Sequence, residues 1–304
     1  MHAKVLLAGV TGPIGQSLVN ALASEYQLFT ISKYPKPQKQ TNVKWITGDI
    51  YNYKDVLKAM ENIDIAVFFL DPTKHSAKMT RALARELNLI AADNFARAAH
   101  HHNITEIIYV SGSQFDAETI QQLSAYGTPV RQTMREMKRS HISVEFQVAK
   151  YNDIRIVHHM PKPLNWSLYE VIERFVSWIS NAKGTRLLAE IEHEYIKIYK
   201  KSNGKLRATL KVEHIDANLY RLVMVKDDLA RHMETPIIEF RYIAQLNWII
   251  IQFFNYIPKV IWPVAYLLQV PYLMMLLRGF DTKCRIQVYH EKIQRGMKVN
   301  YTKD

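Results

Sequence analysis

Cysteine is all but absent: Cys284 is the only one in 304 residues. A single thiol excludes an intramolecular disulfide framework and fits a reducing compartment. Dense basic blocks of about five to eight residues, the mark of nucleic-acid arms, are missing as well. Lys plus Arg nevertheless number 40 against 28 Asp plus Glu, a formal net charge of +12. Cations spread in this way argue against nucleic acid and leave phosphorylated ligands or an anionic surface as partners. No charged leader or cleavable signal pattern precedes the first apolar run, so a cytoplasmic protein is expected, with peripheral membrane association as an addition. Metal-ligand sets are lacking. His100, His101 and His102 are consecutive near a helix end, where side chains diverge by about 100° per residue. His158 and His159 fall at strand spacing and face opposite sides, and neither group brings carboxylates or Cys at ligand spacing.

What is present begins at once. Val5-Leu6-Leu7-Ala8 is an apolar run, followed by Gly9-Val10-Thr11-Gly12-Pro13-Ile14-Gly15 and by the helical pattern Gln16 to Leu22. Strand, glycine-rich turn and helix in that order form a phosphate loop: Gly9 permits the turn, Gly12 lets backbone approach a pyrophosphate, and Gly15 lets helix and strand pack closely. Backbone N–H groups at the helix N-terminus then face the phosphates.

The chain is longer than one typical domain and, at 48% hydrophobic residues, can bury two cores; two domains are expected, 1–150 and 151–304. Gln27–Ser32 reads as a second strand ended by Lys33-Tyr34-Pro35-Lys36-Pro37. That end faces the adenosine ribose in a dinucleotide fold, and it carries no acid. Ser32 and Lys33, a donor and a cation, favour NADP over NAD, with NAD left open and a plain solvated loop as the bland alternative. Val43–Thr47 is a third strand closing in Gly48-Asp49-Ile50, and Tyr53–Asn62 carries apolar residues at helical spacing. Ile65–Leu70 is a continuous apolar run ending at Asp71-Pro72, as suits a strand buried on both faces. From Ser76 to His102 the pattern is helical, with Leu83, Leu87, Ile90, Phe95 and Ala98 near one face and Arg81, Arg85 and Arg97 off it. Thr105–Val110 is a fifth strand, ending in Ser111-Gly112. Alternating strands and helices predict an α/β fold, a doubly wound parallel Rossmann-type sheet with its ligand at the carboxyl ends of the strands.

On these residues, 5 to about 115 resemble the NmrA-like, atypical branch of the extended short-chain dehydrogenase/reductases. The resemblance implies that Asp49 and Ile50 border the adenine, that Leu70 to Pro72 pass over the cofactor, and that Ser111 and Gly112 lie near the nicotinamide. Active members of the broader superfamily use a Tyr with a Lys four residues later, the cation lowering the phenol pKa for proton exchange. Here Tyr126 has Val130 at that offset, Tyr109 has Ser113 and Tyr195 has Tyr199. Ser111 and Tyr126 are left as catalytic candidates, each also readable as structural.

The second half departs from an ordinary reductase substrate domain. The first sheet's pattern ends with Ile142–Val148. Met160-Pro161-Lys162-Pro163 is a stop, and Ser167-Leu168-Tyr169-Glu170 is a capping box opening a helix with Leu168, Val171, Ile172, Phe175 and Ile179 inward. Beyond Gly184 the period becomes two, and Asn203-Gly204 signals a hairpin joining Ala189–Tyr199 to Leu206–Val212. Four or five antiparallel strands with one wet face, covered by the aromatic C-terminal segment, give an α+β domain. This order also resembles a poorly characterised domain fused behind NmrA-like Rossmann domains. Leu246–Phe280 reads as a strand plus a core-covering helix, with membrane contact or spanning as alternatives; Pro258, Pro263 and Pro271 would break one long span.

Two functions remain open on the sequence. One is an atypical NAD(P)-dependent reductase acting on a small apolar carbonyl or quinone-type substrate. The other is a non-catalytic NADP-sensing regulatory protein that docks a partner or membrane through its C-terminal half.

Overall fold

The structure, a computed structural model, describes residues 2–10, 13–35, 42–69, 77, 79–111, 116–134, 152–228, 230–231 and 233–297. The chain divides into two compact units: Met1–Ser76 with Leu83–Ala149, and Ala77–Ala82 with Lys150–Asp304.

The first unit is a six-stranded sheet of β1 (Lys4–Leu7), β2 (Gln27–Ser32), β3 (Val43–Thr47), β4 (Ile65–Phe68), β6 (Glu106–Ser111) and β7 (Val130–Met134). Its order is β3-β2-β1-β4-β6-β7, with every neighbouring pair parallel. Between the strands run α1 (Pro13–Leu22), α2 (Tyr53–Ala59), α3 (Ala84–His101) and α4 (Ala117–Leu123). Parallel strands need such crossovers, and with helices on the faces the central strands lose their polar side: Leu6, Leu7, Ala66 and Ile107 are buried. The expected final strand Ile142–Val148 lies outside the described residues.

Two expectations for the third helix are corrected. The helix starts at Ala84, not Ser76, because Met79–Arg81 forms a strand, β5, that joins the other unit's sheet. Leu83, expected on the apolar face, precedes the helix and is exposed, whereas Arg97, expected off it, is buried. An alanine-rich helix that is buried on almost every side has no polar face to spare, so Asp93, Asn94 and Arg97 go inside with their partners.

The second unit is an eight-stranded sheet in the order β5-β8-β14-β13-β12-β11-β10-β9. Its strands are β8 (Ile154–Pro161), β9 (Leu187–Glu192), β10 (Tyr195–Lys200), β11 (Leu206–Asp216), β12 (Leu219–Asp227), β13 (Ile237–Ile243) and β14 (Trp248–Tyr256). All pairs are antiparallel except β5 on β8. The single strand expected over Ala189–Tyr199 is two strands, turned at His193 with φ 54°; the Gly204 turn, φ 63°, then joins β10 to β11 as expected.

The Ser167 capping box is formed: its hydroxyl accepts from the Glu170 backbone at 3.1 Å, and the Glu170 carboxylate accepts from the Ser167 backbone at 2.6 Å. It opens α5 (Leu168–Asn181). After β14 come α6 (Trp262–Val264), a π-type turn over Ala265–Gln269 and α7 (Val270–Gln294), with Pro271 tolerated in the first turn of α7. Phe175 of α5 meets Phe240 of β13 and Phe280 of α7 edge-on at 5.4 and 5.2 Å, uniting sheet and helices in one core. No helix among the described residues is long and apolar enough to cross a membrane.

The sheet face opposite those helices is not wet over its central strands. Arg155, Glu239, Arg241 and Gln252 are all buried, and alternation alone had marked such positions as solvent-facing. Opposite charges at neighbouring register positions make this burial tolerable: Arg221 Nε donates to Glu239 at 3.1 Å and Arg241 Nη2 donates to its other oxygen at 3.2 Å.

Gly279 marks the crossing of α5 and α7. A Cβ there would stand 2.4 Å from Trp178 Cζ2, and the Trp178 indole N–H donates to the Leu276 carbonyl at 3.1 Å. Gly279→Val is expected to cost about 1–3 kcal/mol by overpacking. A urea midpoint lowered at constant slope would show it; relief in a Gly279→Val, Trp178→Leu double variant would assign it to this contact.

Candidate functional site

In a doubly wound sheet, ligands bind where the strand order reverses, outside the carboxyl ends of the strands. Here the reversal lies between β1 and β4, which the chain leaves in opposite directions, and the Ala8 N–H bridges it to Val67 O at 3.0 Å. Gly9 follows β1 at this edge and Pro13 and Ile14 open α1. Among the described residues a Cβ built on Gly9 would meet nothing within 4 Å, whereas one on Gly15 would stand 2.4 Å from Gly9 O and 2.5 Å from Val10 Cα. The two glycines therefore differ in kind. Gly15 is required by backbone packing; Gly9 keeps a space clear beside the α1 N-terminus, whose first turn holds no acid. Gly9 shows no positive φ, so the turn itself does not demand glycine there. Thr11, Gly12, Leu70, Pro72 and Gly112 lie outside the described residues.

At the end of β2, the Ser32 hydroxyl accepts from the Tyr34 N–H at 3.2 Å, and Lys33 follows on the same partly buried loop. Beyond β3, Asp49 is buried and its carboxylate accepts from the Tyr51 N–H at 3.0 Å, while its own N–H donates to Asp55 at 2.9 Å. Asp49 thus shapes the turn into α2. Asn94 of α3 donates to the Ile50 carbonyl at 3.0 Å and so holds the same turn against the helix.

At the end of β6, Ser111 is buried and its Oγ accepts from Gln132 Nε2 of β7 at 3.0 Å. Tyr126 donates its hydroxyl to Asp93 Oδ1 at 3.0 Å, and the Arg97 guanidinium lies over its ring at 4.8 Å. The same carboxylate accepts from Gln122 at 2.7 Å and from Arg97 Nε at 2.7 Å. This Asp93–Arg97–Gln122–Tyr126 cluster was not anticipated from sequence, although Asp93 and Arg97 at i, i+4 in a helix otherwise rich in apolar residues were its visible signal. It gives Tyr126 an acceptor and a cation, but the cation is a guanidinium paired to Asp93 rather than a lysine four residues on.

Burial, with the Asp116 carboxylate second, pushes the neighbouring Tyr109 phenol up to about 12 from its ordinary 10.0. Because the folded-state value lies above the ordinary one, its contribution to stability is complete below pH 10 and is lost as pH rises toward 12, on the order of 2 kcal/mol. Tyr256 in the second unit is raised too, again by burial. Tyr109→Phe is therefore expected to flatten part of the alkaline unfolding curve over that window; an unchanged curve would contradict the assignment.

Three of the histidines singled out in the sequence have defined neighbours. His102 Nε2 lies 2.8 Å from the Leu57 carbonyl, His158 lies 3.2 Å from Asp281, and His159 stacks on Trp248 at 4.4 Å. Among the described residues no group of His, Cys, Asp or Glu could hold an ion.

Comparison with known proteins agrees with this architecture. The auxiliary protein GraX of Staphylococcus aureus is 41% identical over 307 residues, covering all of both chains. The chain belongs to the GraX family. Within it, residues 9–156 match a protein-family model described as NAD(P)H-binding. Part of the chain is similar to short-chain dehydrogenase/reductase family 42E member 1 of Bos taurus, 29% identical over 113 residues, 35% of this chain and 28% of that protein. Among solved structures, Pen from Bacillus thuringiensis is 28% identical with a TM-score of 0.30, over 36% of this chain and 38% of that one. The GraX-family chain thus carries a Rossmann-type domain that matches an NAD(P)H-binding family and is similar in part to a short-chain dehydrogenase/reductase, consistent with its resemblance to the NmrA-like branch.

Proposed function

We propose that the chain binds NADP(H) at this edge and uses it as a signal of nucleotide occupancy for an auxiliary role, rather than turning it over. The observation that carries the reading is the commitment of both catalytic candidates: Ser111 accepts from Gln132, and Tyr126 donates to Asp93. In the proposal the loop of Gly9, Thr11, Gly12, Pro13, Ile14 and Gly15 cradles the pyrophosphate. Ser32 and Lys33 meet the ribose 2′-phosphate, Asp49 and Ile50 border the adenine, Leu70 and Pro72 pass over the cofactor, and Ser111 and Gly112 lie near the nicotinamide. The full-length relative GraX, an auxiliary protein, favours the same reading.

The competing reading is a reductase acting on a small carbonyl or quinone-type substrate, and it is favoured by the likeness to a short-chain dehydrogenase/reductase. In it the cofactor supplies hydride, and the chain orients it and excludes water. Either way the proposed compartment is cytoplasmic, where burial, which pushes the Cys284 thiol up to about 12, keeps the one cysteine unreactive.

The test is a titration with NADPH and NADH, followed by oxidation assays of the reduced form against quinones and aldehydes. Binding without turnover is expected. Turnover above the solution rate, lost on replacing Tyr126 or Ser111, would overturn the sensing reading. Lys33→Glu is expected to weaken NADPH about tenfold more than NADH, since a charge pair at a partly screened site is worth on the order of 1 kcal/mol; equal losses would remove the NADP preference.

A further inference from the structure

The C-terminal helical segment has an outer surface that the core does not use. One groove there, about 580 Å³, is lined by Tyr266, Leu267, Val270, Met274 and Met275 on the helix side, with Arg81 of β5 and Arg278 among its walls. All belong to the second unit. Its volume falls among those of small-molecule sites, which are mostly apolar with a few orienting polar groups. Apolar side chains here are left in the open: Leu267 and Leu268 are each 66% exposed and Met275 50%. The exposure continues along the same segment from Ile261 and Val264 to Ile286, Ile293 and Met297. Scattered exposed apolar residues are ordinary, but a row along one helix is an interaction surface.

The charges complete the picture. Asp281 of α7 is turned inward to His158 and also binds Arg285, and Glu291 is buried, accepting from the Leu164 N–H at 2.9 Å. The exposed charged residues of α7 and its end are therefore all cations: Arg278, Lys283, Arg285, Lys292 and Arg295. Arg81 and Arg278 are exposed beside the groove and have no acidic partner among the described residues. An apolar groove walled by two uncompensated guanidinium groups matches a ligand with an apolar chain and an anionic head. A basic helix with an exposed apolar row suits the plane of a bilayer surface.

We propose that this groove seats an acyl chain of an anionic membrane lipid, with Arg81 and Arg278 holding the phosphate and α7 lying along the bilayer. The experiment is co-sedimentation of the full chain with vesicles of phosphatidylcholine alone or mixed with phosphatidylglycerol. Binding to the mixed vesicles only, weakened by salt, is expected. Arg81→Gln and Arg278→Gln are each expected to lower the affinity about fivefold, and Met275→Asp to abolish binding, all with unchanged thermal melts. A tryptophan placed by Met275→Trp is expected to be quenched by brominated acyl chains beyond the quenching of the parent protein. Equal binding to neutral vesicles, insensitivity to both arginine changes, or no added quenching would overturn the proposal. So would a concentration-dependent dimer lost in Met275→Asp without vesicle binding, which would assign the surface to a second copy.

Discussion

Glu239→Ala is expected to unfold the second unit at a markedly lower urea concentration, a loss of about 3–5 kcal/mol. Glu239 is only 1% exposed and stands directly opposite Arg221 in the β12–β13 register, two residues from Arg241 on the same strand face. Both arginines donate to it, and their side chains are 3% and 1% exposed. Arg221 also donates to Glu213 Oε2 at 3.1 Å, so charges alternate across three strands in the order Glu213, Arg221, Glu239. Removing the central carboxylate takes an acceptor from two buried cations at once, and desolvated charge is the most expensive thing a core can hold. Glu239→Gln separates charge from shape: it keeps the volume and one acceptor, and is expected to recover less than half of the loss. Replacing Arg221, Glu239 and Arg241 together by apolar residues of similar volume is expected to cost less than Glu239→Ala alone, because no unpaired charge is then left in place of the row. A single-variant loss under about 1 kcal/mol would mean that these groups reach water.

Gly9→Asp is expected to raise the dinucleotide dissociation constant at least a hundredfold while leaving the thermal melt unchanged. The separation of the two effects comes from the geometry: a Cβ at Gly9 meets no atom of the described residues within 4 Å, so none of them opposes the side chain in the apo fold. The space it would fill is the one the pyrophosphate needs, and a carboxylate there opposes phosphate both by bulk and by charge. Gly15→Ala provides the contrast. Its Cβ would stand 2.4 Å from Gly9 O, so it is expected to lose stability and binding together. Calorimetric titration with NADPH, beside a melt of each variant, tells the two apart; full affinity in Gly9→Asp would mean that the phosphate loop is misplaced.

The first sheet was legible because its signals are local. Val5 to Leu7, Val43 to Thr47 and Ile65 to Phe68 are runs whose length and apolarity read as buried strands, and the glycine spacing after β1 marks the reversal point beside it. The helix cover of the second unit was legible for a similar reason, since Ser167, Glu170 and the spacing Leu168, Val171, Ile172, Phe175 carry their own start signal and inward face. What escaped depends on distant partners. Met79–Arg81 has no strand pattern of its own and is a strand only because β8 offers an edge. Arg97 looked like a solvent residue because a charge is polar in any window, while its burial depends on Asp93, Gln122 and Tyr126 being brought to it. Glu239 and Arg241 alternate with Ile238, Phe240 and Tyr242 as outward residues would; only the register with Arg221 shows a buried charge row. In the candidate site, the positions of Gly9, Ser32, Asp49 and Ser111 at strand ends were readable, but the hydrogen bonds that commit Asp49 and Ser111 to their own neighbours were not.

The most direct test is calorimetric titration of the folded chain with NADPH, NADH and their oxidised forms, with Gly9→Asp alongside. Saturable one-to-one binding, tighter for NADPH and absent in Gly9→Asp, is the expected result. A flat titration with every form of the nucleotide, from protein whose melt shows it to be folded, would contradict a dinucleotide site at this sheet edge.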